Sequence, residues 1–182
     1  MKRSGKFTTY KMVFVGIMAA IIYVVTMFRF PLLGSKVHFA NAMCLLSGLL
    51  FGPLYGGLAA GLGSALNDAL YGGYDVIQSF ITFVMKFAMA WVCAKIAFGK
   101  DSRRIVIGSI VGAFSYVALY MGKTFMYQRF VYGFPPDAVW ATMLAKLPAS
   151  VINAVFALIV TPILYAALRP TLARAGILNK LK

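Results

Sequence analysis

Acidic residues and histidine are scarce in this chain. Its 182 residues include four acidic residues, all of them aspartates, and one histidine, His38. An H-E-x-x-H zinc site is therefore excluded, and a histidine-based catalytic triad would have to use His38. Asp68 and Asp75 are separated by a Gly-Gly turn and make no convincing carboxylate pair for catalysis or metal binding. These absences argue against an enzyme, and neither a metal nor a cofactor is expected.

Motifs for nucleotide binding and cysteine chemistry are also missing. No G-x-x-x-x-G-K-[ST] sequence occurs, so the chain cannot power transport with ATP on its own. Gly63 and Ser64 lack the pattern of a nucleophile elbow. Cys44 and Cys93 lie inside apolar runs rather than in a C-x-x-C pair, so we interpret them as small buried residues.

Apolar residues, in contrast, are abundant. The chain is 62% hydrophobic and 12% charged, whereas soluble chains average about 25% charged residues. This composition predicts a polytopic membrane protein in which residues 1–182 form a single membrane domain. The basic start before residues 12–28 resembles a signal peptide, but the apolar run is long for one and further spans follow, so we expect a retained first helix.

The hydropathy pattern predicts an all-α integral membrane protein with six transmembrane helices. A helix needs roughly 20 residues to span lipid, so the second predicted span is short and is expected to be tilted or partly shielded. Pro31 and Gly34 mark a loop after the first span, and Pro148 and Pro162 interrupt the last one. The predicted spans are at about residues 12–28, 38–51, 54–70, 76–98, 105–127 and 140–168.

The formal net charge of +14 indicates how the spans are oriented. Most basic residues flank apolar runs, and with six spans they fall on one side of the membrane. The positive-inside rule then places both termini in the cytoplasm. The basic residues on that side are Lys2, Arg3, Lys6, Lys11, Lys95, Lys100, Arg103, Arg104, Arg169, Arg174, Lys180 and Lys182, with Arg29, Lys36 and Arg129 opposite them.

The segment from Phe51 to Asp75 combines small residues with an intramembrane acid. At helical spacing, two ridges of small residues favour close approach of helix backbones in lipid. Asp68 continues one of these ridges, and a charge at such a position usually faces a cavity or a partner. The simpler alternative is that Asp68 caps the helix or pairs with a lysine. The ridges are Gly56, Ala60 and Ser64, and Gly57, Gly61 and Ala65.

Polar residues at helical spacing also mark the later spans. Lys86 lies roughly 15 Å into its span and is too deep to reach the headgroups easily. Lys123 and Lys146 lie nearer the outer surface, where snorkelling to the headgroups is the alternative. We expect one outward-facing pocket, of net positive potential, that favours a carboxylate, a phosphate or a carbonyl-rich ligand. Its stripes are Gln78, Thr82 and Lys86; Tyr116, Tyr120, Lys123, Thr124 and Tyr127; and Lys146, Ser150 and Asn153.

The sequence LFGPLYGGLAAGLGSALNDAL at residues 50–70 resembles the substrate-binding S components of energy-coupling factor (ECF) vitamin transporters. The likeness is closest to the riboflavin-transporter-like branch. It extends to R-x-P-L-x-G at residues 29–34, G-x-G-S-x-x-x-D at 61–68, I-T-F-x-x-K at 81–86 and K-x-x-x-x-x-x-N at 146–153.

The resemblance implies a substrate-binding subunit of an ECF-type ABC importer in a bacterial plasma membrane. Such a subunit takes up a vitamin or related metabolite (pantothenate, riboflavin, vitamin B6, folate or a precursor). It works with a membrane coupling protein and two cytoplasmic ATPases. The resemblance adds Lys36 and His38 to the ligand contacts, since the loop between spans one and two contributes them. It also makes Gly16 and Ala20 a docking surface for the coupling protein.

Two alternatives remain open from the residues alone. The first is that the chain is a self-sufficient channel or proton-coupled carrier, in which Asp68 and Lys86 form a relay, or that these two residues simply pair with each other. The second is that Gly16 and Ala20 pack inside the bundle instead of docking a partner.

Overall fold

The computed structural model describes residues 8–32 and 35–178, apart from the side chains of residues 32, 35 and 36. In this part of the chain, 5 helices are long and apolar enough to cross a membrane. In chain order the elements are α1 (Thr9–Met27), β1 (Arg29–Leu32), β2 (Ser35–His38), α2 (Ala40–Leu70), α3 (Val76–Ala97), α4 (Ser102–Met126), a π-helical turn (Tyr127–Val131) and α5 (Pro136–Arg174).

Helix α2 is broken in its middle and folds back on itself. Gly52 has φ 82° and ψ −179°, a conformation that glycine adopts without strain, and Pro53 follows it. The Ser47 hydroxyl donates to the Gly56 carbonyl oxygen at 2.9 Å, and Cys44 Sγ lies 3.7 Å from Ser64 Oγ. A straight helix would separate residues twenty apart by about 30 Å. The segments 40–51 and 53–70 therefore run antiparallel. They correspond to the second and third predicted spans, at residues 38–51 and 54–70.

Small residues of the second segment bring neighbouring helices close. A Cβ atom added at Gly57 would lie 2.8 Å from the Phe87 ring, and one at Gly61 would lie 2.7 Å from Phe83. On another side of the segment, a Cβ at Gly63 would collide with the backbone of α1. The close packing predicted from the small-residue ridges is confirmed.

The predicted loop between the first two spans is instead a β-hairpin. Strands β1 and β2 are antiparallel, with Arg29 opposite His38 and Leu32 opposite Ser35. The predicted all-α fold class holds for the rest of the described chain. The strands were not predicted, because four residues leave too little pattern to be distinguished from a loop. His38 consequently ends a strand, and α2 begins at Ala40 rather than at His38.

The prediction that prolines interrupt the last span is also wrong. Helix α5 runs continuously from Pro136 to Arg174 through Pro148 and Pro162. Proline removes one backbone hydrogen bond, but membrane helices tolerate it because neighbouring helices, Ser or Thr side chains and local adjustments can satisfy the freed carbonyl groups. Helical structure likewise continues beyond Met126 into the π-helical turn, where a loop had been expected.

Candidate substrate-binding site

A polar cavity of about 490 Å³ lies at the end of the bundle that carries the β-hairpin. Each of the helices α1 to α5 contributes to its wall, and so does the β-hairpin. The contributing part of each helix is the part that lies near the hairpin. The lining residues are Thr26, Arg29, Pro31, His38, Ser64, Asp68, Tyr74, Thr82, Met85, Lys86, Tyr116, Tyr120, Lys123, Lys146, Ser150 and Asn153.

Most of the candidate binding residues predicted from the sequence meet in this cavity. Gln78, Thr124 and Tyr127 are absent from the described lining, and the side chain of Lys36, on β2, lies outside the described residues. The sequence analysis missed six lining residues. Arg29 and Pro31 belong to the R-x-P-L-x-G motif, and Ser64 shares a helix face with Asp68, so these were within reach. Thr26, Tyr74 and Met85 gave no comparable signal.

The deepest charge in the cavity is held by two neighbours. Lys86 is 3% exposed, and its ammonium group donates a hydrogen bond to the amide oxygen of Asn41. The same ammonium lies 3.8 Å from the centroid of the Tyr116 ring, a cation–π contact. In the described part of the chain its hydrogen-bond partner is thus Asn41, rather than Asp68 as a direct ion pair would require.

One wall of the cavity is aromatic. Tyr116 and Tyr120 are four residues apart on α4, and their rings are nearly parallel, with centroids 6.2 Å apart and planes 21° apart. Met85 lines the cavity beside them with a polarizable thioether. Flat π surfaces and hydroxyl groups on one wall suit a polar ligand that contains a ring.

Further basic residues surround the mouth of the cavity. The Arg29 guanidinium lies 5.0 Å from the Tyr71 ring, and Lys123 Nζ lies 5.7 Å from the Tyr74 ring. Lys146 and Asp68 line the same cavity as Lys123. Strand β1 and helices α4 and α5 therefore bring positive charge to one region.

A direct hydrogen bond connects the hairpin to α5 beside the cavity. The His38 backbone N–H donates to Asn153 Oδ1 at 2.9 Å, although 115 residues separate the two. On the same face of α5, the Ser150 hydroxyl donates to the Lys146 carbonyl oxygen at 3.1 Å. Asn153 therefore holds the hairpin against the cavity wall.

Gln78 has a structural role at the start of α3. Asp75 caps this helix: its carboxylate accepts from the Gln78 backbone N–H at 2.7 Å and from Gln78 Nε2 at 3.0 Å. These hydrogen bonds hold the pKa of the Asp75 carboxyl group below its usual value. The prediction that Gln78 lines the cavity is therefore wrong: Gln78 pairs with Asp75 at the start of α3 instead.

Gly16 and Ala20 lie on the outer face of α1. Both are exposed, and a Cβ atom added at Gly16 would meet nothing within 4 Å. The opposite face of the same helix packs inward through Val15, Met18 and Ile22. The alternative in which Gly16 and Ala20 pack inside the bundle is therefore wrong.

A bundle of apolar helices around a polar cavity defines a membrane protein that binds a small molecule. The family model "ECF-type riboflavin transporter, S component" matches residues 6–170, and the chain belongs to this family. It is thus a substrate-binding subunit of the ECF transporter class. No curated protein matches the chain in a sequence comparison.

A solved structure supports the same fold. It is described as "Structure and mechanism of the S component of a bacterial ECF transporter" and superposes with a TM-score of 0.70. The match covers 89% of this chain and 96% of that one at 20% sequence identity. At this identity the likeness establishes the fold alone.

Proposed function

We propose that this chain captures a water-soluble vitamin or related metabolite outside a bacterial cell and delivers it to an ECF importer with separate ATPase subunits. The cavity is the observation that carries the proposal. Its volume of about 490 Å³ lies within the roughly 300–1,000 Å³ of small-molecule sites. Convergent polar groups and an aromatic wall supply the recognition that such sites need.

The proposal includes six spans with both termini in the cytoplasm. The antiparallel packing of segments 40–51 and 53–70 supports two crossings within α2. Lys95, Arg103 and Arg169 lie at the helix ends remote from the cavity. If the positive-inside rule holds, that end is cytoplasmic and the cavity opens outward.

The chain itself contains no P-loop sequence, so its motor would be supplied by the coupling protein and two ATPases of an ECF module. The exposed face of α1 around Gly16 and Ala20 is the proposed docking surface. Small residues there would let a partner helix approach closely.

Native mass spectrometry of the protein in mild detergent tests the binding role first. We expect one vitamin-sized molecule per chain, identified by its mass and fragmentation. Uptake of that molecule is then measured in cells with and without the ECF module. Uptake that persists without the module would contradict the proposal and favour the self-sufficient carrier.

The substitution Gly16→Leu tests the docking surface. We expect ligand affinity to change by less than about twofold, because Gly16 is remote from the cavity, while module-dependent uptake is abolished by the bulky side chain. Gly122→Leu is the matched control, since a Cβ atom at Gly122 also meets nothing within 4 Å. Normal uptake by both variants would place the docking surface elsewhere.

A further inference from the structure

The charges that line the cavity are unbalanced. Asp68 is the single acidic side chain among the described lining residues, against Arg29, Lys86, Lys123 and Lys146. Placing like charges around a partly dehydrated space is unfavourable unless something compensates them. A ligand that brings negative charge would supply that compensation.

The basic residues differ in how they are already engaged. Lys86 has its ammonium group on Asn41 and on the Tyr116 ring. Among the described residues, Arg29 and Lys123 make only ring contacts of 5.0 Å or more, which leave their hydrogen-bond donors available to a ligand. The described basic residues at the mouth, Arg29, Lys123 and Lys146, therefore outnumber Asp68 there and leave a net positive charge.

The mouth residues are also close to one another. Lys123 Nζ lies 5.7 Å from the Tyr74 ring, and Arg29 lines the same cavity as both. Lys146 lines the same cavity from α5. We define Arg29, Lys123 and Lys146 as the mouth cluster.

The aromatic wall begins one helical turn from this cluster. Tyr120 and Lys123 are three residues apart on α4, which corresponds to about 4.5 Å along the helix axis, and Tyr116 is about 10 Å from Lys123. A ring against these tyrosines and an anionic group at the mouth cluster would therefore belong to one small molecule. Both a carboxylate attached to the ring and a phosphate on a short chain satisfy this spacing.

We infer that the cavity takes a ring-containing anion whose carboxylate or phosphate group lies among the mouth cluster while its ring lies against Tyr116 and Tyr120. This inference rests on the proposed function, since it names the ligand class of the same cavity. Asp68 and Tyr74 lie beside the mouth cluster and would orient the neutral part of the ligand through hydrogen bonds.

Two pairs of probes, matched except for charge, test the inference on the purified full-length protein. Riboflavin and its 5′-phosphate differ by a phosphate group, and nicotinamide and nicotinate differ by a carboxylate. Isothermal titration at moderate salt is expected to show that the anion of at least one pair binds about tenfold more tightly than its neutral partner. The pair that discriminates identifies the kind of anion.

A double variant, K123M/K146M, then locates the effect. The unbranched side chains keep their bulk but lose their charge, so the preference for the anion should fall about tenfold while affinity for the neutral partner changes less than about twofold. Lys95→Met, at the opposite end of α3, should change neither affinity. Thermal unfolding of each variant confirms that it is folded.

Three results would overturn the inference: neutral members that bind as tightly as the anions, no binding by any of the four probes, or an anion preference that survives in the double variant. None of these contradicts the proposed binding role, which is tested by the ligand found in native mass spectrometry. A co-purified neutral ligand would thus support the proposed function and refute the ligand class inferred here.

Discussion

The two halves of the helix bundle differ in what lies between their helices. In the half remote from the β-hairpin, which we call the closed half, glycines bring backbones together. A Cβ atom at Gly48 would lie 2.5 Å from the Ala90 carbonyl oxygen, and one at Gly108 would lie 2.7 Å from that of Cys93. In the cavity half, long polar side chains on α3 and α4 hold the same helices around an open space.

The difference shows how one set of helices supports both stability and binding. In lipid no hydrophobic force drives helices together, so close packing at small residues must hold the bundle. The closed half supplies that packing around Leu45, Met89 and Cys93, all fully buried. The cavity half can then keep polar side chains such as Lys86 without closing, because it is not required to provide the main helix contacts.

The largest expected effect is on the closed half, through Gly56→Ala. A Cβ atom at Gly56 would lie 2.6 Å from Gly48 Cα and would also collide with the Ser47 carbonyl group. Backbone cannot move aside as a side chain can, so we expect a loss of about 1–3 kcal/mol of stability or more. Thermal unfolding in detergent and the yield of monodisperse protein measure it.

Gly122→Ala is the control for this prediction, because it makes the same change where a Cβ meets nothing within 4 Å. Alanine favours helix over glycine by about 1 kcal/mol, so this variant should be no less stable than the wild type. Equal stability of the two variants would show that the turn within α2 does not depend on backbone contact.

The next effect is on the cavity half, through Lys86→Met. Methionine preserves the volume but removes the ammonium group, leaving the Asn41 amide oxygen and the Tyr116 ring without their contact. We expect affinity for the co-purified ligand to fall roughly tenfold or more. The buried Asn41 oxygen loses its donor, which should cost about 1–3 kcal/mol of stability, so thermal unfolding must show that the variant is folded before its affinity is compared.

Lys95→Met makes the same substitution on α3 in the closed half, where Lys95 is exposed and contacts Trp91. Its ligand affinity should equal that of the wild type, as measured by titration calorimetry. If Lys86→Met also binds normally while folded, Lys86 is structural and the contrast between the halves does not extend to ligand recognition.

Much of the fold could be predicted because helices in lipid leave a strong signal. Long apolar runs indicate α1 to α5, and Gly52-Pro53 indicates the break in α2. The β-hairpin could not be predicted, since its strands have four residues each and their pairing depends on contact with α5. The continuity of α5 through its prolines depends on the surrounding bundle rather than on local propensity.

The cavity could be predicted where its residues repeat at helical spacing. Tyr116 and Tyr120, for example, share one face of α4, and the Tyr116 ring contacts Lys86 on α3. Residues on irregular segments carry no such period, which is why Tyr74 was missed. The partner of Lys86 could not be predicted either, because Asn41 lies 45 residues away and only the fold-back of α2 brings it near.

The smallest expected effect compares the helix caps of the two halves. Asp75 caps α3 in the cavity half through hydrogen bonds from Gln78, whereas Asp101, at the start of α4 in the closed half, makes no side-chain cap bond. Asp75→Ala should therefore lower the thermal unfolding temperature slightly at neutral pH, and Asp101→Ala should lower it less.

The pH dependence separates the cap from a general charge effect. Because hydrogen bonds lower the pKa of the Asp75 carboxyl group in the folded state, its stabilisation is complete above the unfolded value of about 4 and is lost as the pH falls through the folded value. The difference in unfolding temperature between wild type and Asp75→Ala should thus shrink as the pH is lowered below about 4. A difference that stays constant across this range would mean that the carboxylate does not cap α3 in solution. The start of α3 would then be no better capped than the start of α4, where Asp101 makes no side-chain cap bond.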